Sequence, residues 1–420
     1  MGSSMVFGRA PALRAARVPP VLALRAGRVS VHGGVTRWLV AAQVAFTVGV
    51  LMLAGLFVTT FSRLTHRPLG FSPTDVYVME TDARPPVAAG VWHDLADRLL
   101  TVPGVERVAS AGWSPLSGNQ WTGAVRVAGR PAGPQSPFLV QVSPGYFDVL
   151  RIDLIAGRDF RTGDAAPRLD EQKQPVAGVG VVNESFARAY FDGLSPVDRQ
   201  IQVRLDSQFV SMSIVGVVRN SVYASVRESM KPIVYLPLGA RDNATVIVRT
   251  AAGTTPSAAA LREAALRNDA RLAMREPRPL GAFVARQMIR ERLLATLSFF
   301  FAGVSLLLAG VGLYGVLNHV VMQQRREIGV RLALGARPTD IVRRVGGRLL
   351  IFIAAGAGAG LAAGLFAGRS LDTLFYGVAP TDVSSLATPL TALAVAAAVA
   401  ALAPIVRAIQ TDPAITLKAD

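Results

Sequence analysis

Long uncharged apolar runs alternate with charged stretches along the chain. Asp, Glu, Lys and Arg are absent from four of these runs, at residues 38–62, 293–322, 349–368 and 383–406. Each run has about 20 residues or more, the length that a helix needs to cross the hydrocarbon core of a bilayer. The pattern predicts four transmembrane helices.

The segment 63–292, between the first two apolar runs, has the composition of a water-soluble domain, with 28 Lys and Arg residues and 22 Asp and Glu residues. Stretches rich in β-branched residues and bounded by turn formers predict strands at 213–218, 232–237 and 245–250. Helical patterns predict helices at 87–101, 183–191 and 257–272. Asn183 is the expected cap of the second helix, and residues 161–178 are expected to form a loop. The segment is predicted to fold as an α+β domain of one or two lobes.

Charge bias predicts the orientation of the chain in the membrane. Six Arg residues and no acidic residue lie in segment 1–37, which the positive-inside rule places in the cytoplasm. The run at 38–62 is too long for the apolar part of a signal peptide and is expected to remain as an anchor. Alternation then places 63–292 and 369–382 outside, and 323–348 and 407–420 in the cytoplasm. The predicted fold is an α-helical integral membrane protein with four transmembrane helices and an α+β extracytoplasmic domain inserted between helices 1 and 2.

The second apolar run is longer than a bilayer requires. Residues 293–324 carry no Asp, Glu, Lys or Arg, and a helix of this length spans about 48 Å. The excess is expected to project outward as a stalk, and a tilt of the helix within the bilayer is the alternative.

Small and polar residues within the runs indicate how the helices pack. A glycine recurs at every fourth position of the third run, at Gly356, Gly360, Gly364 and Gly368. These glycines share one helix face, where another helix can approach closely. They are interpreted as a dimer or bundle interface, and the alternative is simply the Ala/Gly-rich composition of this run. Gln43, in the first run, is expected to hydrogen-bond a neighbouring helix.

Composition argues against several classes of function. The net charge of +16 is spread along the chain and flanks the apolar runs, which favours a positive-inside bias over nucleic-acid binding. The chain has no cysteine, so thiol catalysis, thiolate metal sites and disulfides are excluded. No Asp, Glu, Lys or Arg lies within the four runs, which argues against an ion-coupled transporter.

Motifs for catalysis and cofactor binding are also absent from the sequence. It contains no G-x-x-x-x-G-K-[ST], H-E-x-x-H or G-x-S-x-G pattern, and its four histidines lack the spacing of metal ligands. GVGLYG at 310–315 matches the dinucleotide fingerprint in its glycines alone, since it lies inside an apolar run instead of between a strand and a helix. We expect the chain not to be an enzyme and to hold no cofactor or metal.

A basic, amphipathic stretch, RREIGVRLALGARPTDIVRRV at 325–345, separates the second and third runs. Glu327 and Arg331 stand four residues apart with the acid first, the favoured pairing in a helix. Gly335 is expected to end one helix and Pro338 to open the next. The prediction is two short helices in an elbow along the cytoplasmic membrane surface. The alternative is a loop anchored at anionic headgroups.

This stretch closely resembles the signature loop of MacB/FtsX-like ABC transporter permeases. Four further segments resemble the extracytoplasmic core domain of that family: GYFDVLRIDLIAGRDF (145–160), VVNESFARAYFDG (181–193), SIVGVVRNSVYASVRE (213–228) and KPIVYLP (231–237). Residues 293–420 resemble the FtsX-like permease domain, and the ending TDPAITLKAD resembles its short cytoplasmic tail. The resemblance covers nearly the whole chain in the order typical of the family.

The resemblance implies a permease of the bacterial cytoplasmic membrane. Such permeases associate with a separate subunit that binds ATP and with a second permease copy or half. The loop between the second and third spans acts in them as a coupling helix docked on the ATPase. The positions that match this motif are Arg326, Glu327, Ile328, Gly329, Arg331, Leu334, Gly335 and Ala336. Arg337 and Pro338 depart from it, since many relatives have Ser or Thr at this helix cap.

The sequence leaves alternatives open. The chain is an export or mechanotransmission permease, a regulator that transmits ATPase motion to cell-wall hydrolases, or a membrane-anchored receptor without ATP coupling. A second set of alternatives concerns completeness: the chain is a four-span permease that forms a homodimer, a truncated product, or one half of a duplicated eight-span protein.

Overall fold

The computed structural model describes residues 32–128, 136–324, 327, 338–378 and 381–409. The chain forms two compact units, and the second, Phe61–Leu293, is inserted in the sequence of the first, Met1–Thr60 with Leu294–Asp420.

The helices, in chain order, are α1 (His32–Thr65), α2 (Ala89–Leu99), α3 (Tyr146–Leu150), α4 (Glu184–Phe191), α5 (Ala258–Asn268), α6 (Leu280–Gln287), α7 (Ile289–Gln323), α8 (Pro338–Ser370) and α9 (Val383–Ile409). The strands are β1 (Val76–Val87), β2 (Val105–Ala111), β3 (Val125–Val127), β4 (Phe138–Val142), β5 (Leu154–Gly157), β6 (Arg168–Leu169), β7 (Pro175–Val176), β8 (Gly178–Asn183), β9 (Gln200–Leu205), β10 (Gln208–Val218), β11 (Ile233–Pro237), β12 (Arg241–Thr250), β13 (Leu272–Met274) and β14 (Arg278–Pro279). A short 3₁₀ helix lies at Asp372–Leu374.

Four helices of the described chain are long and apolar enough to cross a membrane. They span Trp38–Thr65, Ile289–Gln323, Leu350–Ser370 and Ser385–Arg407. In the first unit, apolar side chains from α1, α7, α8 and α9 form one buried cluster, which includes Val44, Leu313, Ala357 and Leu393. The predicted fold class, four membrane helices with an α+β domain between the first and second, is confirmed.

The predicted elbow is wrong in one respect. Helix α8 begins at Pro338, as the sequence predicts, but it continues without a break to Ser370. The second short helix of the elbow is therefore the first part of the helix that contains the third span. Since proline lacks only an N–H that is unpaired in a first turn, it opens a helix without interrupting the later turns. Residues 328–337, which contain the expected first short helix beyond Glu327, lie outside the described residues.

The second unit is built on a mixed sheet with the strand order β13-β1-β12-β2-β4-β11-β8-β10-β9-β3, to which β14 and β5 add at β1 and β10. The strands β2 and β4 pair through Ala111 and Val142 alone. Bonds of 2.8 Å from Gly112 N to Gln141 O and from Ser143 N to Ser110 O flank this pair. We call this narrow contact the seam. It divides the sheet into a first half-sheet, β13 to β2, and a second half-sheet, β4 to β3.

Three cores cover the two half-sheets. One face carries a core that crosses the seam, with Ala109 and Ile247 from the first half-sheet and Val140 and Tyr235 from the second. Successive residues of a strand point to opposite sides, and on the opposite face the cores of the two half-sheets are separate. Helices α2 and α5 contribute Trp92, Leu95 and Leu261 to the core of the first half-sheet, and α4 contributes residues such as Phe186 to that of the second.

Local sequence signals place most elements correctly. The predicted strands correspond to β10, β11 and β12, and the predicted helices to α2, α4 and α5. The helix predicted at 257–272 is too long, since α5 ends at Asn268 and Leu272 begins β13. The prediction of a loop at 161–178 misses β6 and β7, a two-stranded hairpin of two residues each. Strands this short carry no periodicity, so the composition of the segment could not predict them.

The side chain of Arg158 fastens the loop that precedes this hairpin. Its guanidinium bonds both carboxylate oxygens of Asp164, at 2.7 and 3.1 Å, and this contact holds the pKa of Asp164 below its usual value. Since the pKa is lower in the folded state, the pair stabilises the fold above the unfolded pKa of about 4. Its contribution is lost as the pH falls through the folded-state pKa.

We therefore expect Asp164→Asn to destabilise the protein at pH 7 and to have progressively less effect in acid. A hydrogen-bonded charge of this kind contributes about 1.5–3 kcal/mol, and Asp164 is only 14% exposed. Melting temperatures of the two proteins, measured from pH 7 downward, should begin to approach each other at about pH 4 and converge once the pH is below the folded-state pKa of Asp164. The matched control is Asp153→Asn, because the pair of Asp153 with Arg219 is exposed and contributes less than about 1 kcal/mol. A pH-independent effect of Asp164→Asn would contradict the assignment.

Candidate functional site: the β10–β11 loop and the helix contacts of the membrane unit

The loop between β10 and β11, residues 219–232, is partly buried and internally braced. Its side chains Val222, Tyr223 and Val226 belong to the core that crosses the seam. Glu228 Oε1 accepts hydrogen bonds from the backbone N–H groups of Tyr223, at 2.6 Å, and Ala224, at 3.0 Å. Burial raises the pKa of the Tyr223 hydroxyl, which therefore stays neutral and donates to Trp113 O at 3.4 Å. These contacts give the loop a defined shape. We call residues 219–232 the β10–β11 loop.

The side-chain amide of Gln287 bonds three backbone groups, two of which belong to this loop. Gln287 Oε1 accepts from Val226 N at 3.0 Å, and Nε2 donates to Ala224 O and Leu116 O, both at 3.0 Å. Gln287 is the last residue of α6, and α7 begins two residues later at Ile289. One side chain thus fixes the β10–β11 loop to the chain segment that leads directly into the second membrane helix.

An ion pair in the first turn of α7 reinforces this attachment. Glu291 Oε1 lies 3.3 Å from Arg227 Nη1, and the Glu291 side chain is only 7% exposed. Its second oxygen, Oε2, is buried and has no hydrogen-bond partner among the described residues. The Glu291 charge therefore depends on Arg227 for compensation.

The same loop also binds the segment that follows the first membrane helix. Arg67, two residues beyond the end of α1, donates from Nη1 to Val226 O at 2.6 Å. Val222 N donates to Leu69 O at 2.9 Å. Both chain segments that enter and leave the second unit are therefore attached to one loop. All of these residues belong to the second unit.

In the first unit, polar groups of α1 bond the backbone of α7. Gln43 Nε2 donates to Leu308 O at 2.6 Å, and Thr47 Oγ1 donates to Ser305 O at 3.3 Å. The structure thus places Gln43 against a neighbouring helix. Because lipid offers no partners for such groups, bonds of this kind fix one helix against another.

The glycines of the third run lie against α1. A Cβ atom on Gly356 would stand 2.5 Å from Ala41 O, one on Gly360 2.8 Å from Val48 Cβ, and one on Gly364 2.7 Å from Met52 Sδ. Gly368 is buried. The structure thus places the first three of these glycines at a contact within one chain, and their absent side chains allow the two helix backbones to approach.

Adding a side chain at this contact should separate α1 from α8. We expect Gly360→Val to lower the stability of the membrane unit by about 1–3 kcal/mol, the usual cost of overpacking. Gly358→Val is the control in the same helix, since a Cβ atom there would meet nothing within 4 Å. The melting temperature of each variant in detergent tests the prediction, and equal losses in both would contradict it.

The predicted coupling positions are only partly described. Glu327 is helical and exposed. The other seven lie outside the described residues: Arg326, Ile328, Gly329, Arg331, Leu334, Gly335 and Ala336. Their role as ATPase contacts stays a prediction.

Sequence reasoning missed the residues that attach the β10–β11 loop. The segment 213–228 resembles the family's core domain, but no role for Arg227 or Glu228 follows from that resemblance alone. Arg67, Gln287 and Glu291 stand among many charged and polar residues flanking the membrane spans. Glu291 lies two residues before an apolar run, but Asp382 directly precedes another, so position alone does not single out Glu291.

Comparisons with known proteins agree with this architecture. Residues 38–264 match the family model of the MacB-like periplasmic core domain, and residues 299–413 match that of the FtsX-like permease C-terminal domain. The crystallised periplasmic region of MacB from Actinobacillus actinomycetemcomitans is similar over 51% of this chain and 94% of that chain, with 17% identity and a TM-score of 0.31.

Two curated relatives align over shorter segments. The pyoverdine export ATP-binding/permease protein PvdT of Pseudomonas syringae is 32% identical over 115 residues, which cover 22% of this chain and 18% of the relative. The macrolide export ATP-binding/permease protein MacB of Haemophilus ducreyi is 24% identical over 208 residues, which cover 48% of this chain and 28% of the relative. The chain thus spans less than a third of the length of these relatives.

The first family model covers more than half of the chain. The second covers two of the four membrane helices of the described residues in full and most of a third. The chain is a membrane protein with an extracytoplasmic domain, and the resemblance identified from its sequence motifs is confirmed. It belongs to the family of ABC transporter permeases that combine a MacB-like periplasmic core domain with an FtsX-like permease domain.

Proposed function

We propose that the chain is the permease of an export complex in which a separate ATPase subunit moves the extracytoplasmic domain. The observation that carries this proposal is the attachment of one loop to both connecting segments, through Arg67 on one side and Gln287 and Glu291 on the other. A rigid two-sided attachment converts a displacement of either helix into a displacement of the loop. The β10–β11 loop connects two strands of the second half-sheet, so the displacement reaches the sheet directly.

Other observations support the assignment of ATP binding and hydrolysis to a separate subunit. The sequence lacks a G-x-x-x-x-G-K-[ST] motif, so we propose that a partner binds and hydrolyses ATP and that this chain has no enzymatic activity. The coupling stretch at 326–336 would contact that partner in the cytoplasm, with both termini on the same side. Both curated relatives described above are named for export, which favours export over regulation of cell-wall hydrolases. A second permease copy or half would complete the complex.

Purification from native membranes tests the partnership. The tagged chain would be purified in mild detergent, and its accompanying proteins identified by mass spectrometry. We expect a stoichiometric P-loop ATPase, which is lost when Glu327 and Arg331 are both changed to Ala. Arg369→Ala, at the other end of α8, is the control that should retain it. Recovery without any ATPase, under conditions that preserve another ABC complex, would overturn the proposal.

Spin-label distances then test the role of the β10–β11 loop. The chain has no cysteine, so spin labels attach only at introduced cysteines. Leu100→Cys follows α2, on the first half-sheet, and Leu194→Cys follows α4, on the second, and both positions are exposed. In the complex, we expect ATP to change this distance, and Gln287→Leu to abolish the change while the ATPase stays bound. The control Arg286→Leu alters an exposed neighbour and should keep the response. An unchanged response in Gln287→Leu would exclude this route of transmission.

A further inference from the structure

A cavity of about 690 Å³ opens in the second unit beside the seam. Its walls are the start of α2 (89–93), the end of β4 (141–144), the loop 160–168 and the turn 237–240 after β11. The cavity therefore lies where elements of the two half-sheets meet, and its wall includes Trp92 and Leu238 from the core of the first half-sheet and Phe160 from the core that crosses the seam. Its size is in the range of small-molecule sites.

The charged side chains of the wall leave the cavity positive. Arg161 and Arg168 line it and are exposed, and among the described residues neither forms an ion pair. Asp164 also lines the cavity, but its carboxylate is bound by Arg158. The acidic charge of the wall is thus already compensated, whereas two guanidinium groups remain available.

Hydrogen-bond donors of the wall point to the same ligand chemistry. No side chain caps the N-terminus of α2, whose first residues Ala89 and Gly90 line the cavity. The first N–H groups of a helix carry partial positive charge and favour anions. Trp92, also in the wall, is fully buried, and its Nε1 has no hydrogen-bond partner among the described residues. A ligand that brings acceptor oxygens would meet the N–H groups at the start of α2, with the unpaired indole N–H of Trp92 buried behind the wall.

The rest of the wall is partly apolar, beside the polar side chains of His93, Gln141, Ser143 and Thr162. Phe160 and Leu238 are buried, and Pro144, Ala165 and Pro237 add further apolar surface. An inorganic anion would leave this surface unused, whereas an organic anion would bury its hydrocarbon part against it.

We propose that this cavity binds small organic carboxylates with an apolar side chain. The carboxylate lies between the guanidinium groups of Arg161 and Arg168 and the start of α2, and the hydrocarbon part lies against Phe160 and Leu238. The inference does not depend on the proposed coupling to an ATPase, since binding is a property of this chain alone.

The experiment uses the full-length chain in detergent, with N-acetylphenylalanine as the probe and N-acetylphenylalanine amide as its uncharged counterpart. Isothermal titration calorimetry should show saturable binding of the acid and much weaker binding of the amide. Arg161→Gln combined with Arg168→Gln should weaken binding of the acid by roughly tenfold or more, the effect of losing charge-assisted bonds. The matched double variant, Arg199→Gln with Arg204→Gln, changes two exposed arginines outside the cavity and should bind as the unmodified chain does.

Two results would overturn the proposal: equal affinity for acid and amide, or unchanged affinity in the Arg161/Arg168 variant. Absence of saturable binding would do the same. Indole fluorescence locates the probe, since Trp92 borders the cavity. A ligand-induced fluorescence change should disappear in Trp92→Phe, and its persistence would place the ligand elsewhere. Circular dichroism melting of each variant shows whether it is folded before binding is measured.

Discussion

Arg227→Leu should be among the most destabilising single substitutions in the second unit. Glu291 is buried, and its charge is compensated by the Arg227 guanidinium 3.3 Å away. Removing that partner leaves a buried carboxylate alone, which typically costs about 3–5 kcal/mol. We expect the melting temperature in detergent to fall accordingly and the attachment of the β10–β11 loop to α7 to loosen.

Two further variants separate the lost pair from a general effect of changing the loop. Arg219→Leu removes an arginine from the same loop, but the pair of Arg219 with Asp153 is exposed and contributes less than about 1 kcal/mol. In the double variant Arg227→Leu/Glu291→Leu no uncompensated charge remains, so much of the lost stability should return. If Arg227→Leu lowers the melting temperature no more than Arg219→Leu does, Arg227 does not compensate the charge of Glu291.

Asn183→Ala should lower stability by about 3 kcal/mol, because one side chain bonds three backbone groups, of which two are buried and one is partly buried. Asn183 Oδ1 accepts from Phe186 N, as the cap of α4, and from Ile233 N in β11, both at 2.9 Å. Nδ2 donates to Lys231 O at 2.8 Å. Loss of a cap costs about 1–2 kcal/mol, and a buried donor left unpaired adds about 1–3 kcal/mol.

The control for this prediction is another helix cap of the same domain. Ser257 caps α5 by accepting from Ala260 N at 3.3 Å, but it is exposed, so water replaces the lost bond. Ser257→Ala should therefore cost only about 0.5–1 kcal/mol. Chemical or thermal unfolding of both variants gives the comparison, and similar losses would show that the bond to Ile233 adds nothing beyond the cap.

Asn183 also marks the limit of what the sequence could predict. The cap of α4 is a local signal, and it is confirmed by the bond to Phe186 N. The bond to Ile233 joins residues 50 positions apart and depends on the sheet order, for which no local pattern exists. The membrane helices were predictable because the bilayer excludes charge from about 20 consecutive residues.

The contacts of the candidate site were also hard to predict, because they join residues that lie far apart in the sequence. Gln287 bonds Leu116 and Ala224, which lie 171 and 63 residues away, and a single glutamine has no periodicity that would single it out. The glycines of α8 could be assigned to one helix face from their spacing. Their partner, α1, became clear only from the packing, since spacing alone is equally compatible with a second copy of the chain.

The seam has a consequence for the compliance of the sheet. Elsewhere neighbouring strands are joined by ladders of two or more residues, but β2 and β4 pair through Ala111 and Val142 alone. A change of twist between the half-sheets therefore strains few backbone bonds and leaves the two separate cores intact, and the core that crosses the seam is the part that resists it. Because the 690 Å³ cavity borders this seam, its volume depends on the same twist. An occupant that fits one twist of the sheet better would favour that twist. By thermodynamic reciprocity, a force on the β10–β11 loop that changes the twist would then change the affinity for that occupant.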